Sequence, residues 1–218
     1  FSMQDVFQQF FLGLKQTTLL EYIAVFTGIT SVWFSKKENI LVYPVGLVSV
    51  IIYIYLSFKY HLIGEASVNL YYTVMSIYGW WLWARKDKEQ HPLVHISFSS
   101  KREWLIQVFF FLSFYLIIYF SLVYLKEVFA EGAIPWGDAF ASASAFTGMW
   151  LMAKKKVESW GWWIITNIAS IPLFFVKGLV FTSVYYLVLL VLAFFGLKEW
   201  KLKAKAVQNQ KIFEFESR

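Results

Sequence analysis

Apolar residues fall in long runs separated by short polar clusters, and the runs cover residues 19–34, 41–58, 67–83, 104–125, 136–153, 160–176 and 181–197. Each is close to the roughly 20 residues that cross a hydrocarbon core as α-helix. None keeps up the two-residue alternation of a membrane-barrel strand, so the pattern predicts seven transmembrane helices. The opening stretch QDVFQQFFLGLKQ mixes polar and apolar residues. It predicts an interfacial amphipathic helix within an N-terminal segment 1–18.

Composition agrees with a membrane chain. Of 218 residues, 59% are hydrophobic, 22% aromatic and only 16% charged, too few charges to cover a soluble fold. The absence of cysteine excludes a disulfide framework and thiol redox chemistry. No short apolar core is followed by an A-x-A-like site, so no cleaved leader is expected. The net charge of +6 does not point to nucleic acid, because the basic residues sit in clusters between apolar runs and not along one face. Alternate loops are rich in them. One side collects Lys36, Lys37, Arg85, Lys154 to Lys156 and the C-terminal tail; the other holds only Lys15, Lys59, Lys126 and Lys177. The positive-inside rule therefore puts the N-terminus outside and the C-terminus in the cytoplasm.

Short self-similarities recur at offsets of 117 to 120 residues: FTG at 26–28 and 146–148, KKEN at 36–39 against KKVES at 155–159, and G-x-x-x-W closing the third and seventh spans at Gly79 and Gly196. They predict two parallel three-helix repeats, 19–83 and 136–200, joined by a cytoplasmic loop and linker helix over 84–125 and followed by a cytoplasmic tail, 201–218. A pathway would run between the repeats.

Polar side chains inside two of the spans are the candidate chemistry. In VESWGWWIITN, Trp160, Trp163 and Asn167 share one helical face, and Asn167 approaches the bilayer middle, where lipid offers an amide no partner. Two indole faces and an amide would cradle a flat polar ring, a cationic one above all. Trp160 and Trp162 also sit where tryptophan anchors a helix at the interface. In NLYYTVMSIYGWWLW, Asn69, Tyr72, Thr73 and Ser76 form a second polar stripe. Glu38 and Glu158 hold matching places in the two repeats and are expected to have a structural or gate-forming role.

Several chemistries have no signature here. There is no G-x-x-x-x-G-K-[ST] loop, no mid-span acidic pair for ion coupling, no zinc-ligand spacing among His61, His91 and His95, and no G-x-S-x-G. An enzyme is not expected, nor a cofactor or metal. Facilitated diffusion is the simplest energetic reading.

SIYGWWLW at 76–83, KKKVESW at 154–160 and GWWIITN ending at Asn167 resemble the PnuC-type vitamin transporters, over residues 20 to 200. The resemblance implies an all-α integral membrane fold of seven helices, two three-helix bundles around a linker as in the SWEET sugar transporters. It also implies a homotrimer in the bacterial inner membrane and uptake of nicotinamide riboside by facilitated diffusion, with cytosolic phosphorylation trapping the substrate. Family members usually carry Gln at the position of Asn69, and nicotinamide riboside members read V-E-N-W where this chain has Ser159. Those departures keep a thiamine transporter of the same family as the alternative. A non-transporting membrane subunit, in which the polar stripes only pack helices, and a sugar facilitator are the readings from outside vitamin transport.

Overall fold

The computed structural model describes residues 3–59, 63–129 and 132–216. Among the described residues the chain forms eight α-helices: α1 Met3–Gln16, α2 Leu19–Lys36, α3 Val42–Lys59, α4 Ile63–Ala84, α5 Lys101–Phe129, α6 Pro135–Ala153, α7 Glu158–Val176 and α8 Val180–Glu216. The amphipathic opening segment is α1, and the seven apolar runs fall on α2 to α8. His61, one of the loop histidines, and Arg218, at the end of the tail, lie outside the described residues.

Four helices are long and apolar enough to cross a membrane unaided: α3, α5, α7 and the first 30 residues of α8. A fifth candidate is α1 taken with α2, bent by 107° where they join. That break has a local cause. Thr18 accepts from the Glu21 amide while the Glu21 carboxylate accepts from the Thr18 amide, a reciprocal cap that starts α2 afresh. α4 and α6 fall short because small and polar residues dilute their apolar ones, ASASA in α6 and Glu65, Asn69, Thr73 and Ser76 in α4. The helices weakest in hydropathy are thus those carrying most of the polar side chains.

Six helices close into a ring in which α2 packs on α3, α3 on α4, α4 on α6, α6 on α7, α7 on α8, and α8 back on α2. α5 rests on α6 outside the ring and leaves large side chains such as Leu105, Phe109 and Ile117 uncovered. The α2–α3 and α6–α7 turns share one end, the basic end, with Lys36, Lys37 and Lys154 to Lys156.

Helix boundaries recur at one interval. α2 ends at Lys36 and α6 at Ala153, α3 ends at Lys59 and α7 at Val176, α4 begins at Ile63 and α8 at Val180; each pair is 117 residues apart. Of the three non-glycine residues with left-handed backbone among the described residues, those in the α2–α3 and α6–α7 turns, Glu38 (φ 60°) and Lys155 (φ 52°), keep the same spacing. On this spacing the two FTG triplets stand three residues, almost one turn, out of step, so they share a helix face and not a position.

Tight packing at the basic end follows the same interval. Tyr43 lies on Gly79 and Trp160 on Gly196, so closely that a Cβ on Gly196 would come within 2.5 Å of the indole. Trp83 Nε1 donates to the Ala153 carbonyl at the end of α6, and Trp200 Nε1 to the Ser35 carbonyl at the end of α2. Each third helix thereby fastens onto the first helix of the other set.

Candidate functional site

On α4, at 100° per residue, Glu65, Asn69, Tyr72 and Ser76 lie on the face that also carries Gly79 and Trp83. The opposite face, with Leu70, Val74, Ile77 and Trp81, is 56–59% exposed. On α7, Trp163, Asn167 and Ser170 face inward while Ile165 and Ile168 face out. Both polar stripes therefore turn toward the ring interior. They meet where the Tyr72 and Trp163 rings stand 6.3 Å apart, with Phe146 of α6 6.1 Å from Tyr72. Tyr71 fixes Phe146 by stacking at 3.9 Å and donating its hydroxyl to the Phe146 carbonyl. Trp163 rests on Gly148 at van der Waals distance, which sets the indole's position.

The polar groups at this meeting point lack protein partners. Asn167 is only 3% exposed, yet its amide makes no hydrogen bond among the described residues. The same holds for Trp163 Nε1 and the Tyr72 hydroxyl. A buried amide left this way loses about 1–3 kcal/mol unless water or a ligand satisfies it. From α8, Tyr185 and Tyr186 reach the same region, their rings 5.7 Å apart and Tyr185 within electrostatic reach of Tyr72. All three tyrosines are half-buried.

Other predicted site residues are placed elsewhere. Trp160, expected in the cradle, is 1% exposed, covered by Gly196 and set edge-on to Trp200 at 5.6 Å. Trp160 lies one turn nearer the basic end than Trp163, where the ring is filled. Ser159 is fully buried beside the Met152 sulfur. Thr73 returns its hydroxyl to the Asn69 carbonyl, and Asn69 donates to the Glu65 carbonyl. Ser76 is buried on the inward stripe nearer the basic end.

The basic end is closed. Lys155, 5% exposed, gives its ammonium to Glu38 at 2.8 Å and lies 4.6 Å over the Trp83 ring; Lys203 approaches the other Glu38 oxygen at 3.3 Å. Ser35 meets the Met152 sulfur beside this pair. Burial beside Trp150 holds the Lys154 ammonium below the usual lysine range. Glu158 does not cross between the two helix sets. Its carboxylate accepts from the amide and hydroxyl of Ser99, which in turn accepts from Gln107; Gln107 also accepts from Trp162 Nε1. That chain, with Ser97 bonded to the backbone of Lys155 and Val157, pins the segment before α5 onto α6 and α7. The Lys155 partner and the buried Gln107 were missed at the sequence level. The signal for Lys155 was its 117-residue interval from Glu38; Gln107, one polar residue in an apolar run, offered a weaker one.

At the opposite end a cavity of ≈ 420 Å³ opens between α1, α2, the α7–α8 turn and α8. Gln16, Glu21 and Thr182 line it, and Tyr53 and Tyr185 form its inner wall. The molecule is thus sealed at one end and hollowed toward the other.

A ring of apolar helices with polar side chains turned inward, closed at the basic end and hollowed at the other, suits a multi-pass membrane transporter. The family model described as nicotinamide mononucleotide transporter matches residues 18–202, and the chain belongs to that family. The nicotinamide riboside transporter PnuC of Escherichia coli (strain K12) is 24% identical over 222 residues, covering 92% of this chain and 93% of its own. The riboflavin/roseoflavin transporter RibM of Streptomyces davaonensis is 22% identical over 179 residues, 82% of either chain. A crystal structure of the vitamin B3 transporter PnuC shares the fold with a TM-score of 0.66 at 24% identity, covering 94% of this chain and 90% of that one.

Proposed function

We propose that this protein carries a B-vitamin-type compound, nicotinamide riboside first, across a bacterial inner membrane by facilitated diffusion, with cytosolic phosphorylation trapping the substrate. Asn167 carries the reading: a buried amide without a protein partner among the described residues, one turn from the Trp163 ring that meets Tyr72, in a family of transporters. Trp163 stacks on the vitamin ring, and Asn167 and Asn69 bond its amide or ribose. Trp160 and Ser159 act as packing. Since Ser159 is fully buried, its departure from the family's V-E-N-W changes the core and leaves nicotinamide riboside ahead of thiamine.

All of α2 to α8 span the membrane in this reading, α2–α4 and α6–α8 forming two parallel repeats about an axis along the membrane normal. The recurring helix boundaries support it, as do Glu38–Lys155 and Ser35–Met152, both contacts between positions 117 residues apart. Equivalent positions touch each other only on a two-fold axis. With the basic end in the cytoplasm and the N-terminus outside, Glu38 and Lys155 form a cytoplasmic gate and the chamber is approached from outside. Three copies assemble, as the family resemblance implies. Proteoliposomes test the transport step. Labelled nicotinamide riboside should equilibrate without ATP or an ion gradient, and thiamine, riboflavin and glucose should compete poorly; no movement of any of them would return the chain to a packing subunit.

A further inference from the structure

Every group at the Tyr72, Trp163 and Asn167 meeting point is neutral, while nicotinamide riboside and thiamine each carry a cationic ring. A cation drawn from water into a chamber ringed by apolar helices needs a counter-charge close by. The inward stripe of α4 supplies a carboxylate. Glu65 lies seven residues before Tyr72 on the same face, about 10 Å farther toward the hollowed end. It stands within electrostatic reach of Tyr53 of α3, Tyr186 of α8, Asp138 of α6 and Lys177 of the α7–α8 turn. It is exposed at that end, open to an arriving ligand.

Lys177 does not cancel this charge. Its ammonium is held by both Asp138 oxygens, at 2.7 and 2.8 Å, and Asp138 is itself fixed by the Ile134 amide at 2.6 Å. Asp138 and Lys177 offset each other, and Glu21, which lines the cavity, adds a second carboxylate to Glu65 at this end. Glu65 is not locked into the Asp138–Lys177 pair.

We infer that Glu65 is the counter-charge that selects a cationic heteroaromatic substrate at the mouth of the chamber. This rests on the proposed vitamin site and adds the residue that reads the ligand's charge. The stacking and amide contacts of Trp163 and Asn167 read ring shape and hydrogen bonding, which a neutral ring of the same outline would satisfy equally.

Nicotinamide riboside and its uncharged 1,4-dihydro form separate the two contributions, since they differ by charge at nearly constant shape. With purified full-length protein, Glu65→Gln should weaken binding of the cation about tenfold, the scale of one screened charge contact, and change the dihydro form less than about twofold. Glu65→Asp should keep the preference for the cation. Wild-type affinity for the cation should also fall as salt rises from about 0.02 to 0.5 M, while that for the dihydro form stays level; this series tests for a counter-charge without a variant, and a Glu21→Gln protein that keeps the preference for the cation assigns it to Glu65 even if Glu65→Gln does not fold. Parallel losses for both ligands in the variant, or a salt series that treats them alike, would overturn the inference while leaving the vitamin site standing. A wild-type protein that binds neither form would instead remove the site on which it rests.

Discussion

At the 117-residue interval Tyr43 corresponds to Trp160, Gly79 to Gly196 and Trp83 to Trp200, whereas Gly46 and Val50 of α3 stand where α7 carries Trp163 and Asn167. Likewise Glu65 and Tyr72 of α4 correspond to Thr182 and Leu189 of α8. The two three-helix sets match in residue type where they pack against each other at the basic end and differ where they face the chamber. Under the proposed function, a frame whose two helix sets match at the closed end surrounds a one-sided site, with ring and amide groups from α7 and carboxylate, amide and phenol from α4. A small asymmetric ligand needs that difference; a stable closed end needs the likeness.

The sharpest way to break the comparison is to remove one of its shared anchors. Trp160→Ala and Tyr43→Ala should each lower stability by about 3–5 kcal/mol, read from denaturant or thermal unfolding in detergent, because both rings are buried to 1% exposure. Trp163→Ala, three residues from Trp160 and only partly buried against the same core, should cost less stability than Trp160→Ala and weaken vitamin binding by about 1–3 kcal/mol in calorimetry. Glu38→Ala leaves the buried Lys155 ammonium without its carboxylate and should destabilise the closed end by about 3 kcal/mol. Lys203→Ala, which removes only the longer and more exposed partner, should stay within about 1 kcal/mol. Gly196→Ala forces a methyl into Trp160 and should cost about 1–3 kcal/mol. Gly161→Ala, in the same pair of helices but with nothing within 4 Å, should be neutral or slightly stabilising. Thr18→Ala should cost about 1 kcal/mol by opening the cap of α2, outside either shared set of contacts.

Helix positions were legible in the sequence because apolar run length is a direct physical requirement of the bilayer, and α2 to α8 fall on the seven runs. The inward faces of α4 and α7 were legible too, from the spacing of Asn69, Tyr72 and Ser76 and of Trp163 and Asn167. Depth was not. Trp160 and Trp163 lie on one face only a turn apart, and what divides them is that Gly196 and Trp200 fill the ring beneath one and not the other, a fact about a neighbouring helix. Glu158 shows the same limit: its sequence match with Glu38 suited a gate, but at the 117-residue interval Glu38 answers to Lys155, and the partner of Glu158 is Ser99 from the segment before α5. Periodicity reports what a helix offers to its surroundings, and partners come from the packing of other helices.

Because the chain contains no cysteine, the chamber can be probed without background labelling. Asn167→Cys in membrane vesicles, treated with a small membrane-impermeant thiol reagent, tests the central claim most directly. The account predicts that the thiol is modified, that saturating nicotinamide riboside slows the modification severalfold, and that Ile168→Cys, facing outward on the same turn, stays unreactive. An inert Asn167→Cys, or one labelled at the same rate with and without the vitamin, would contradict a substrate chamber between these helices.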